Sequence, residues 1–342
     1  MASSKLIMRL FLLDKNTNLN EVKKTILDRS FSEPLFISKR DMEQAITMSV
    51  AEKNFYYTWD KDRIKLENIV LSEKENNAIE VQVLEAYADL EYPKRKKKNA
   101  QGMILPKKDR VNDATIRVIF FEVGGSIYLL IFSSNESHID RVQKLIGQNI
   151  IKEVDKKYQI EPDLFNWLFY KYSLFKGELS AECKLNNISG FIGNSVDEHN
   201  IFKSSSDQTS ELIITKAFIS NGEILKNVTV RITSAEGEFV FSIDHKSNIT
   251  LFLNQSMMYF NSSNLELVIP VYLYSVLIPY MQKTYKESST NFLNKEKNKF
   301  SIKIGLEVIN SIIDNNGILL EDIKSLYNDS DELSTTEIGF RD

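Results

Sequence analysis

The chain has 342 residues, 42% of them hydrophobic, with 43 Lys and Arg set against 47 Asp and Glu for a formal net charge of −4. That apolar content can bury the core of one large domain or two ordinary ones, which excludes a disordered chain, and 12 Gly with 6 Pro exclude collagen-like repeats. A single cysteine, Cys183, excludes an intrachain disulfide framework and fits a reducing, cytoplasmic setting.

Residues 5–13 read as a buried first strand. The apolar run Leu6 to Leu13 is interrupted by Arg9 and enters Asp14-Lys15-Asn16 without a small-residue cleavage site, unlike a signal peptide. Asn18 to Leu27 is predicted helical, with Asn18 or Asn20 as N-cap. A second helix is predicted from Asp41 to Val50, where Met42, Ala45, Ile46 and Val50 fall near one face. Asn54 to Trp59 is an aromatic strand.

Ala78 to Leu90 reads as a strand with period-two stretches on either side of a break near Leu84. Thr115 to Val123 and Ser126 to Ser133 form a hairpin through Gly124-Gly125, a pair suited to the positive φ angles of a tight turn. Val118 to Phe121 and Ile127 to Phe132 are almost continuously apolar, as in central strands covered on both faces. Helices are predicted from Ser134 to about Ile146 and from Glu161-Pro162-Asp163 onward, the second with Leu164, Trp167, Leu168 and Phe175 along its apolar face.

Ile188 to Asn200 is rich in turn and polar residues and reads as an ordered turn, overlapping a polar stretch from Gly193 to Ser210. Four strands of an antiparallel meander are then expected at 211–220, 225–233, 237–243 and 248–253. Helices follow around 271–287 and 302–314, with a short one at 318–327. Leu265 to Met281 contains Glu266, Pro270 and Pro279, which favours a core element over a membrane span.

The expected fold is therefore α+β: mixed, largely antiparallel sheets with flanking helices, in two lobes. The expected division is an N-terminal α+β domain over 1–192 and a polar connection over 193–210. A C-terminal β-meander with helices would cover 211–330, ahead of an acidic tail at 331–342.

One segment departs sharply from the acidic whole. Between Lys94 and Arg110, eight of seventeen residues are cationic (Lys94, Arg95, Lys96, Lys97, Lys98, Lys107, Lys108, Arg110) and only Asp109 is anionic. A connection of this charge entering a buried sheet suits a polyanion, and its contacts would be to phosphates rather than to base edges. Lysines near strand ends also keep sheets soluble, so a solvated turn is the competing reading.

A metal-dependent nuclease is a second possibility. Pro162-Asp163 and, after eighteen intervening residues, Glu182-Cys183-Lys184 are compatible with the loose PD-(D/E)xK pattern, in which Asp163 and Glu182 would hold a divalent cation and Lys184 would orient water. Against it, Pro162-Asp163 also makes an ordinary helix start. The three histidines, His138, His199 and His245, are not spaced as a metal site, and no phosphate-binding glycine loop is present. The aromatic run Phe55 to Trp59 could stack bases, although core packing accounts for such residues as readily.

These features lead to the expectation of a non-catalytic nucleic-acid-binding sensor or adaptor subunit that binds DNA or RNA through residues 93–110. Such a chain needs no cofactor, would work beside other protein subunits and has no expected membrane contact. A bacterial antiviral defence system is one compatible setting. The alternatives are the nuclease and a protein-interaction module for an acidic partner.

Overall fold

The computed structural model describes residues 5–14, 18–73, 78–152, 158–194, 201–206, 209–262, 264–319 and 321. The described chain begins with β1 (Lys5–Leu13), α1 (Leu19–Thr25), β2 (Phe31–Pro34), α2 (Met42–Ile46), α3 (Val50–Lys53), β3 (Asn54–Trp59) and β4 (Lys65–Ser72). It continues with β5 (Ile79–Pro93), α4 (Lys107–Arg110), β6 (Val111–Val123), β7 (Ser126–Ile131), α5 (Glu136–Ile146), β8 (Ile151–Lys152) and α6 (Pro162–Leu174). After β9 (Glu178–Ser180), β10 (Cys183–Asn194) and β11 (Ile201–Ser205) come α7 (Ile213–Ser220), β12 (Ile224–Ser234), β13 (Gly237–Asp244), β14 (Ile249–Phe252) and β15 (Met257–Met258). The last described helices are α8 (Leu265–Tyr272), α9 (Ile278–Asn291) and α10 (Lys297–Asn316).

The fold is α+β, and its described strands join one large antiparallel sheet with the path β11-β10-β12-β13-β14-β1-β7-β6-β5-β3-β2. β1 joins the two halves. Its residues Lys5 to Met8 pair with β14, and Arg9 to Leu12 pair with β7. A short first strand thus links segments far apart in sequence.

The apolar strands around β6 are buried on both faces, as their continuous hydrophobicity predicts. Val118 and Phe120 of β6, with Leu129 and Ile131 of β7, join a core closed by Val22 of α1 and by Val142 and Leu145 of α5. Ile119 and Phe121, with Tyr128 and Leu130, point the other way into a second core shared with α6, α8, α9 and the meander strands. The expected break near Leu84 has the same cause. Val81 and Val83 face the second core, while Leu84, Ala86, Ala88 and Leu90 face the first, so β5 keeps its alternation but changes which face is covered.

Several elements differ from their sequence reading. The helix expected over 41–50 is divided into α2 and α3, and of its proposed apolar face only Ala45 is buried. Residues 188–194 are strand rather than turn, with bulges in the pairing of β10 with β12, and Gly193 lies where Phe218 packs too close for a side chain. The 193–210 stretch contributes β11, which pairs with β10 as an edge strand. The strand expected at 211–220 is instead α7 from Ile213, because Thr215, Phe218 and Ile219 bury themselves at i, i+3 and i+4 spacing.

The helices expected at 271–287 and 302–314 belong to one helical run from Leu265 to Asn316, with π-helical turns at Leu273–Leu277 and Phe292–Glu296. By length and composition this run could cross a membrane, but 67% of its most apolar window is buried inside the protein, as in a core helix. The helix expected at 318–327 and the acidic tail fall almost wholly outside the described residues.

Candidate nucleic-acid interface

The cationic segment closes the longest hairpin of the sheet. β5 and β6 pair from Val83–Phe121 out to Pro93–Val111, and the amide of Lys94 extends the ladder by donating to the Arg110 carbonyl at 2.8 Å. Within the loop the chain pairs with itself again. Lys98 and Ile104 form a bridge, Leu105 N donates to Lys97 O at 2.9 Å, and the Asn99 carboxamide oxygen accepts from the amides of Gln101 and Met103. Gly102 supplies the positive φ of +79° that this turn requires.

Side chains then fasten the loop to the short helices beneath it. Lys98 Nζ meets Asp41 Oδ1 at 2.6 Å, and the Gln44 side chain accepts from the Ile104 amide at 2.9 Å. Arg110 is 1% exposed. Its guanidinium reaches Glu52 Oε2 at 2.8 Å, the Glu52 carbonyl, and Leu105 O at 2.9 Å. The Glu52 carboxylate also accepts from the amide of Lys107, whose own Nζ pairs with Glu91 at 2.6 Å and lies 4.5 Å from the Tyr56 ring centre.

The eight cations therefore divide into two sets. Arg110, Lys107 and Lys98 are tied to carboxylates and hold the loop in place, and Lys94 donates to the Lys108 carbonyl at 3.3 Å. Arg95, Lys96, Lys97 and Lys108 are exposed, and among the described residues none has an ion-pair partner. The free charge thus lies on both arms of the loop, on Arg95 to Lys97 and on Lys108. At its base a groove is lined by Glu52, Glu91 and Asp113 together with Lys107 and Lys108, so acidic and basic side chains mix there.

The elements near the hairpin expose several apolar side chains, among them three of the four that the helical reading of 41–50 put on its apolar face. Phe36, Met42, Ile46 and Val50 are all exposed, as is Met103 on the loop itself. The run Phe55 to Trp59 offers no stacking platform: Phe55, Tyr57 and Trp59 are buried, and the Tyr57 hydroxyl donates to Glu33.

The nuclease residues are not gathered into one cavity. Asp163 opens α6 and pairs with Lys297 Nζ at 2.6 Å. Glu182 and Lys184 line an open groove beside β9 and β10 that does not include Asp163. Cys183 between them is buried, and burial pushes its thiol up to about 12, far from a reactive thiolate. Among the described residues no cluster of three His, Cys, Asp or Glu side chains could hold a metal ion. His138 packs against Tyr92 with ring centres 5.2 Å apart, His245 lies in a groove with Arg9 and Lys246, and His199 is outside the described residues. No protein-family model matches the sequence, and no curated protein matches it significantly.

Proposed function

We propose that this chain is a non-catalytic nucleic-acid-binding subunit, a sensor or adaptor, that grips phosphate backbones through Arg95, Lys96, Lys97 and Lys108. The observation that carries this reading is their arrangement: four exposed cations, without ion-pair partners among the described residues, stand on a hydrogen-bonded hairpin that Lys98 and Arg110 tie to Asp41 and Glu52. Preset charges of this kind contact phosphates without ordering a loop first, and they carry little sequence information.

Fluorescence anisotropy with labelled DNA and RNA tests it. Alanine at Arg95, Lys96 and Lys97 together abolishes binding while leaving the thermal melt unchanged. Equal binding by that variant and the parent refutes the proposal. Incubation of the same oligonucleotides with magnesium leaves them intact, whereas cleavage abolished by Glu182→Ala would establish the nuclease instead.

A second reading is favoured by the apolar side chains beside the hairpin, Phe36, Met42, Ile46, Val50 and Met103. An acidic protein segment with apolar anchors matches a surface that mixes cations and exposed hydrophobes. Binding to such a protein that survives high salt and is lost on Ile46→Asp distinguishes it, since phosphate contacts alone weaken steeply with salt.

A further inference from the structure

We propose that α10 is the seam of an antiparallel homodimer, with a second copy of the same helix crossing near Leu306. The helix is apolar on two opposite faces. Phe300, Ile304 and Val308, spaced by four, are buried against the body. Ile302, Leu306 and Ile309, with Ile313 beyond them, follow i, i+4, i+7, i+11 spacing on the other side, and the first three are 64%, 55% and 52% exposed. A helix with one face in the core normally turns a polar face to water. This one turns outward a row of branched aliphatic side chains at the spacing of a helix–helix contact. Ile214 of α7, which packs against α10, is also exposed and widens the face.

The charges on α10 select the occupant and its direction. Lys295, Lys299 and Lys303 are exposed on and beside the N-terminal half of the row, whereas Asp314 and, past the helix, Glu321 are exposed at its other end. Antiparallel packing sets Lys299 of one copy near Asp314 of the other, and Leu306 lies midway between those positions. The helix dipoles then also oppose one another favourably. Parallel packing would stack lysines on lysines. The surface is therefore complementary to itself under a two-fold rotation, the commonest symmetry of soluble oligomers. A helix pair of this length is about 30 Å long. None of this depends on the nucleic-acid reading, since the seam shares no residue with the basic hairpin.

Sedimentation equilibrium of the full chain, without nucleic acid, tests the proposal. The parent gives a dimer mass. Leu306→Glu gives a monomer with an unchanged circular-dichroism melt, because Leu306 is exposed and lies outside the buried core of the monomer. Lys299→Glu and Asp314→Lys each weaken the dimer, and the double variant restores it. Oxidation of Leu306→Cys yields a covalent dimer, and oxidation of Lys295→Cys does not; the native thiol, Cys183, is buried and does not interfere.

A monomer throughout the micromolar range overturns the proposal, and so does crosslinking at residue 295 in preference to 306. It is also overturned by a monomer that co-sediments with phosphatidylcholine–phosphatidylglycerol vesicles and loses that binding on Leu306→Glu, which would make the face lipid-directed.

Discussion

Two arginine and lysine types that look alike in the sequence do different work. Arg110 is a buried structural cation. Replacing it with Ala leaves Glu52 without its partner and frees the hairpin from α3, at a cost of about 2–3 kcal/mol given that the Glu52 side chain is partly exposed. Arg95→Ala, at an exposed residue with no ion-pair partner among the described residues, changes stability by less than about 0.5 kcal/mol. Chemical denaturation of the two variants measures the contrast directly. His138 supplies a pH dependence. Burial first, and the nearby Arg141 charge second, lower its pKa in the folded protein. As pH falls through the ordinary histidine value of about 6.5, the unfolded chain takes up the proton before the folded one. Stability therefore falls over that window, and the loss is complete once the folded-state imidazole is also protonated. Thermal melts between neutral and mildly acidic pH show this decline in the parent and a smaller one in His138→Gln.

Among the elements, the turn after α6 is the most demanding. Gly177 has φ +78°, and a Cβ there would meet the Leu185 carbonyl oxygen at 1.9 Å. Gly177→Ala combines backbone strain with a clash against a strand that cannot move aside, and should lower stability by about 3 kcal/mol or more in a denaturant titration. Elements whose burial follows their own residues were legible. Val118-Ile119-Phe120-Phe121 announces a strand covered on both faces, and Gly124-Gly125 announces its hairpin, with φ +60° and +74° at the turn. The α+β class and the antiparallel order of β12, β13 and β14 could be read in the same way. Where tertiary context decides, the reading failed. Ile213-Ile214-Thr215 has strand-forming side chains, yet the segment becomes α7 because its apolar residues can then pack on α10. Met42, Ile46 and Val50 have helical spacing but nothing to bury them. At the candidate site the charge of residues 94–110 was plain, but its division into tied and free cations was not. That division is set by Asp41, Glu52 and Glu91, which precede the loop and approach it only in the fold.

On the scale of the whole molecule, an acidic protein of net charge −4 carries four exposed cations without ion-pair partners among the described residues on the loop that closes a two-stranded ribbon. Under the proposed function, affinity depends on salt in proportion to the free cations rather than to all eight. The decisive measurement is the slope of log Kobs against log salt for one duplex DNA, compared between the parent and a variant with Ala at Arg95, Lys96, Lys97 and Lys108. Four phosphate contacts per chain predict a parent slope of about −3.6, or about −2.8 for a single strand, against about −7 if all eight cations took part. The variant should bind no more tightly than background, with a slope near zero. A variant that binds as the parent does, with the same slope, contradicts the account.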